Sequence, residues 1–256
     1  MKLLLLADSH GKEMMPVMTT HASMLDPQWE LDQLHIVRGR GIEIIRGDYR
    51  RRLPEIQTFA PDNVMIHAGH NNMVRHEVFN RSPLFITSVV HMLLELVTEI
   101  RSDFPDCKIF VSTLLPRKAS RRMSGIEAQQ YNSLCKRFGQ HILSNEQSHN
   151  YIAVLNRPFW ARISRAEPNE ALLAPDGLHV TDNGRRVLAD LWLCAIQRGV
   201  PSIRNVHVPR LVPRYRRLRA VPNSQEATVA PRRDRVIVSS RNARNTRATH
   251  FRNRRL

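Results

Sequence analysis

Cysteine is scarce in this chain of 256 residues: Cys107, Cys135 and Cys194 are the only three, widely spaced and odd in number. That excludes a disulfide framework and points to buried thiols in a reducing compartment. Long hydrophobic runs are missing too, since no apolar stretch approaches the ~20 residues that a membrane-spanning helix requires. The run Leu3–Leu6 behind a single Lys is too short for a secretion signal and has no small-residue cleavage site, so it reads as a strand. The chain holds no internal repeat. Its His, Cys and acidic residues have no metal-ligand spacing, so neither a metal nor a cofactor is expected. Residues 200–256 lack lysine and nearly lack acids. They hold fifteen Arg against Glu226 and Asp234, a net +13, which leaves only +3 of the total +16 to residues 1–199.

A hydrophobic share of 42% suits a soluble globular protein, and the length allows one well-buried α/β domain with an appendage. Apolar stretches predict strands at Lys2–Ala7, Leu34–Val37, Val64–Ala68, Lys108–Ser112 and Tyr151–Leu155. Helical spacing of apolar residues marks Ser88–Arg101 and Ile126–Leu143. A last helix runs from a cap at Asp182, through a stripe that includes Leu188, Leu191, Trp192 and Ile196, to Gly199 and Pro201. Strands alternating with helices imply a mainly parallel sheet covered on both faces. The expected division is a domain over 1–200 and a largely disordered Arg-rich tail over 201–256, in which only Arg235–Ser239 has strand character.

In a parallel sheet the chemistry gathers at the carboxyl ends of the strands, and four polar blocks fall there. Asp8-Ser9-His10 follows the first strand, and Gly41 follows the second. Gly69-His70-Asn71-Asn72 follows the third, and Asp176-Gly177-Leu178-His179 precedes the last helix. An Asp three residues before a His, on a loop entering a helix, lets the carboxylate fix the imidazole tautomer while the other ring nitrogen takes a serine proton. The oxyanion that forms in acyl transfer needs donors, and the natural set is the Ser9 N–H, the Gly41 N–H and the Asn71 amide. Gly39 and Gly47 are alternatives to Gly41. Taken singly, Ser9 reads as a turn or cap residue, and His10, His67 and His70 as ordinary loop or strand residues. Pro116-Arg117-Lys118 follows the fourth strand at the same face and has two readings, a loop beside the substrate or, preferred, a solvated basic loop.

Through these four blocks, over about residues 1–199, the chain resembles the SGNH hydrolase superfamily of GDSL-type esterases and lipases. The resemblance implies a three-layer α/β/α sandwich around a five-stranded parallel sheet. It also implies Ser9 as nucleophile, Gly41 and Asn71 in the oxyanion hole, and Asp176 with His179 completing a triad that cleaves small acyl esters such as acetyl esters. Two departures stand out: Ala7 replaces the usual Gly before Asp-Ser, and Asn72 replaces an Asp whose carboxylate would accept hydrogen bonds to support its loop. An SGNH domain joined to an intensely basic segment is similar in layout to esterase-bearing proteins of some animal LINE-type retrotransposons, which implies an intracellular, cytoplasmic or nuclear protein that accompanies RNA. Fifteen arginines attract phosphate, but only Tyr215 and Phe251 are there to stack on bases. The second reading is therefore an SGNH-fold protein that binds nucleic acid with little or no hydrolase activity.

Overall fold

The computed structural model describes residues 1–25, 36–38, 41–77, 83–121 and 123–199. Five strands form one parallel sheet: β1 (Leu3–Ala7), β2 (Ile36–Arg38), β3 (Asn63–His67), β4 (Lys108–Ser112) and β5 (Ile152–Val154). Their order across the sheet is β2-β1-β3-β4-β5. Leu34 and His35 of the second predicted strand lie outside the described residues, as does the whole Arg-rich segment 201–256.

The unbroken apolar sequence of β1 follows from burial on both sides. Alternation sends Leu4 and Leu6 into one core with Ile45, Val64, Ile66, Leu93 and Tyr131. Leu3, Leu5 and Ala7 enter the other, with Met14, Met18, Met65, Leu188 and Trp192. The first core is closed by α2 (Ile42–Arg51), α3 (Leu53–Phe59), α4 (His70–Glu77), α5 (Pro83–Asp103) and α6 (Gly125–Asn145). The second is closed by α1 (Met14–Leu25) and α7 (Asp182–Arg198), which pack together. A two-stranded antiparallel ribbon, β6 (Trp160–Arg162) with β7 (Glu167–Pro168), lies in the connection between β5 and α7.

Helix ends follow their local chemistry. Ser124 and Glu127 form a reciprocal capping box at the start of α6. Thr181, not the expected Asp182, caps α7, because its hydroxyl accepts from the Gly184 N–H, while Asp182 is the first helical residue. Gly199 ends α7 in the left-handed conformation, as its place in the sequence predicts. Cys107 and Cys135 are buried as expected, whereas Cys194 is only half-buried. No helix among the described residues is long and apolar enough to cross a membrane.

Candidate active site

In this strand order the chain moves outward from β1 to β2 on one side and from β3 to β4 on the other. The crevice beyond β1 and β3, where the direction switches, is where doubly wound sheets place their ligands. The residues just past these two strands form the site. Asp8 leaves β1 and its backbone N–H donates to the His67 carbonyl of β3 (3.1 Å). Ser9 then opens a 3-10 turn, exposed between buried Asp8 and buried His10.

The Asp176–His179 loop is built to a defined shape. An antiparallel bridge pairs Leu173 with Val180 and brings the two ends of the loop together. Inside it, Asp176 Oδ1 accepts from the backbone N–H groups of Leu178 and His179, both at 2.9 Å. Oδ2 meets the Nδ1 of His179 at 2.6 Å. Burial would raise the Asp176 carboxyl, but the hydrogen bonds from the His179 ring and the two backbone amides outweigh it and hold it down at about 2. The ionised carboxylate puts the ring proton on Nδ1, so Nε2 of a neutral His179 keeps its lone pair. Gly177 adopts a φ of +73°, and a Cβ there would sit 2.4 Å from the Lys118 carbonyl oxygen. Gly177→Ala is accordingly expected to destabilise the fold by ~2 kcal/mol, measurable by urea denaturation.

Of the residues singled out in the sequence, Asp176 and His179 are brought into direct contact. The His179 ring lies 5.9 Å, centroid to centroid, from that of His10, the neighbour of Ser9. No hydrogen bond joins Ser9 Oγ to His179 among the described residues. Gly41 is buried at the N-terminal cap of α2. Gly47 lies inside α2, and Gly39 is outside the described residues. Asn71 stands on the first turn of α4, half-exposed, behind Gly69, whose φ of +119° suits glycine. The neighbouring Asn72 does not leave its loop unsupported. Its Oδ1 accepts from the Ile42 N–H (2.9 Å) and its Nδ2 donates to Glu43 Oε2 (2.9 Å), a role an amide can fill beside a carboxylate and an Asp cannot.

His10 and His70, read from the sequence as ordinary residues, form with Asp8 a buried hydrogen-bonded network, and the buried His67 ring, read likewise, packs against both imidazoles. Asp8 accepts from His10 Nδ1 at 3.0 Å and from His70 Nδ1 at 2.8 Å. His70 Nε2 accepts the Leu115 N–H at 2.9 Å, so that ring is neutral with its proton on Nδ1. His10 Nε2 faces the Leu178 carbonyl at 3.2 Å, which only accepts, so His10 carries protons on both nitrogens. Burial works against a charged His10, but the Asp8 carboxylate overcomes it and raises the ring's pKa. Burial together with the charge of His10 pulls His70 down to about 4 despite Asp8. Burial would likewise raise the Asp8 carboxyl, yet the two rings hold it well below the carboxylate range. The imidazolium of His10 thus ties the Ser9 turn to the Asp176–His179 loop. His67 Nδ1 meets Ser112 Oγ at 3.0 Å, a hydroxyl that also receives Asn156 Nδ2 and Trp192 Nε1.

One donor atom from each of Asp8, His10, His67 and His70 lies within 4.8 Å of the others, a spacing compatible with a metal ion. The linear sequence hides this grouping, because the ligand atoms come from two segments, the ends of β1 and β3, that lie more than fifty residues apart. His70 fits poorly as a ligand. Lending its Nδ1 lone pair would move the ring proton to Nε2, against the Leu115 N–H that already points there. The hydrogen-bonded form satisfies Asp8, His10 and His70 together.

Arg117 also departs from its preferred sequence reading. Far from being solvated, it is 6% exposed, with its guanidinium 4.4 Å from the centroid of the Tyr131 ring. Two adjacent basic residues after a Pro carry no signal of such burial.

The GDSL-like lipase/acylhydrolase family model matches residues 22–187. A GDSL-like lipase from Bacteroides thetaiotaomicron is similar in structure at 14% identity and a TM-score of 0.56, covering 78% of this chain and 89% of its own. An acetyl-xylooligosaccharide esterase from Geobacillus stearothermophilus, in a mutant form, is similar at 17% identity and a TM-score of 0.51, covering 80% and 97%. No curated protein matches the chain. With the family model spanning well over half of its length, the chain belongs to the GDSL-like lipase/acylhydrolase family and is a carboxylic ester hydrolase of the SGNH fold.

Proposed function

We propose that this protein is a serine esterase for small acyl esters such as acetyl esters, with Ser9 as nucleophile, His179 as general base and Asp176 as the orienting carboxylate. The observation that carries the reading is the Asp176–His179 contact of 2.6 Å, on a loop tied through His10 to the turn that bears Ser9. In the acylation step the Ser9 proton passes to His179 Nε2 as Oγ bonds to the ester carbon. The carbonyl electrons move onto an oxygen held by the Ser9 and Gly41 N–H groups and the Asn71 amide. Collapse expels the alkoxide, which takes the proton from His179, and water releases the acid by the same route in reverse.

Hydrolysis of 4-nitrophenyl acetate and butyrate by the full chain, beside Ser9→Ala, tests this. Turnover that is lost in the folded variant supports it, and turnover that survives Ser9→Ala overturns the assignment. The Arg-rich segment favours a second reading, nucleic-acid binding in an intracellular setting, because a net +13 over 57 residues attracts phosphate. A wild-type protein that turns over no ester yet retains RNA, with affinity falling steeply as salt rises, favours that reading.

A further inference from the structure

Arg117 is a buried cation without an anion. Among the described residues it makes no ion pair, and its Nε has no hydrogen-bond partner. A guanidinium in a residue only 6% exposed loses hydration at its buried Nε, a cost ordinarily offset by a carboxylate or by carbonyls. Here one face rests on Tyr131 and the fork is left unused.

Its place in the fold is fixed by other bonds. The Arg117 N–H donates to Asn132 Oδ1 (2.7 Å), and Asn132 Nδ2 donates back to the Arg117 carbonyl (2.8 Å). The next residue docks on the candidate catalytic loop: the Lys118 N–H donates to the Gly177 carbonyl (3.2 Å), and Lys118 Nζ reaches the Leu173 carbonyl (2.9 Å). Arg117 thus sits between α6 and the Asp176–His179 loop. Its positive charge is felt by both His10 and His70 at the ends of β1 and β3. Among the described residues, the buried charged groups at this end of the sheet are then two cations, His10 and Arg117, against one carboxylate, Asp8, with His67 and His70 neutral.

We propose that Arg117 is the anion-binding residue of the active site, receiving a carboxylate or phosphate carried by the ester substrate. This deepens the esterase reading and rests on it. Arginine suits the task because its planar fork bonds both oxygens of such a group while Tyr131 holds its plane. A hydrolase for wholly neutral esters has no use for a guanidinium that is largely enclosed, without an ion pair, beside the Asp176–His179 loop. The substrate class is therefore an ester whose acyl or alcohol part bears a negative charge.

The test uses the full chain as wild type, Arg117→Gln and Arg117→Lys. Because Asn132 clamps only the backbone of residue 117, both variants keep the bonds that place the segment, and circular dichroism verifies folding. The readout is the ratio of kcat/KM for mono-4-nitrophenyl glutarate to that for neutral 4-nitrophenyl butyrate. Loss of a charge-assisted pair lowers this ratio ~30-fold in Arg117→Gln, and Arg117→Lys, which keeps the charge but not the fork, recovers part of it. An unchanged ratio in folded Arg117→Gln overturns the proposal.

Calorimetric titration with glutarate and with inorganic phosphate separates the two anions and does not depend on turnover. Binding by the Arg-rich segment contributes equally to wild type and variant, so it cancels in the comparison. If wild type hydrolyses neither ester, the esterase reading fails on its own. Weakening of glutarate or phosphate binding by ~10-fold in Arg117→Gln then still supports an anion site, whereas identical titrations for both proteins overturn it.

Discussion

His179→Ala is expected to lower kcat for 4-nitrophenyl acetate by ~10⁴- to 10⁶-fold, with folding intact. The ring is half-exposed and bonds through Nδ1 only to Asp176, so its removal leaves no buried group without a partner. In the proposed mechanism this removes the acceptor for the Ser9 proton, and with it the acid that protonates the leaving alkoxide. Asp176→Asn is expected to lose ~10⁴-fold by a different route. The Asn amide offers a donor as well as an acceptor to Nδ1, so the ring can turn its lone pair toward residue 176 and present an N–H to Ser9. With the Asp176 carboxyl held at about 2, its ionisation contributes no change in rate across the neutral range. Comparable kcat values for wild type and His179→Ala would remove His179 from the mechanism.

Asp8→Asn is expected to cost ~3–5 kcal/mol of stability, because it strips the counter-charge from a buried imidazolium. Asp8 and His10 are both enclosed, with 1% of each side chain exposed, so solvent does little to soften the loss. The dependence on pH gives a signature that a simple packing defect lacks. The carboxyl of Asp8 is lowered in the fold, so its contribution is present above the ordinary 3.8 and is lost as pH falls through the lowered value. His10 is raised above the ordinary 6.5, so its contribution is present below that value and is lost as pH climbs through the raised one. His70, held down at about 4, and His67, held well below 6.5, stay neutral in the fold and cost stability as pH falls below 6.5. Wild-type stability is therefore greatest near neutral pH, falls on the acid side, and declines on the alkaline side as His10 loses its proton. Urea denaturation at pH 5, 7 and 9 should show that decline in wild type and not in Asp8→Asn. Parallel curves for the two proteins would mean that His10 is neutral in the fold.

Much of the fold is legible before any coordinates. The run Leu3–Ala7 is apolar at every position because both of its faces are covered, and only an interior strand of a layered α/β protein demands that. Helix α7 is marked by its stripe and by Gly199, and the error of one residue at its cap arises because Thr181 and Asp182 are both good cap formers. Helices α1 to α4 are less visible. Their polar faces and short lengths give weak periodicity, and the packing against the sheet stabilises them where local propensity does not.

The candidate site divides along the same line. Asp176 and His179 are three residues apart, so one loop suffices to join them, and their spacing alone forecasts the contact. Ser9, Gly41 and Asn71 are marked by their position after strands. The histidine network and Arg117 depend on distances that no local spacing encodes: Asp8 and His70 are 62 residues apart in the chain and 2.8 Å apart in space. By itself the sequence determined the strands, the layered α/β architecture, the Asp176–His179 pair and the concentration of charge beyond residue 200, because periodicity and local spacing fix all of these. Which histidine is charged, and that Arg117 stands beside the Asp176–His179 loop without an ion pair among the described residues, follows only from the tertiary fold. Protonation and charge balance are set by neighbours delivered from different strands, and the order of the sheet chooses those neighbours.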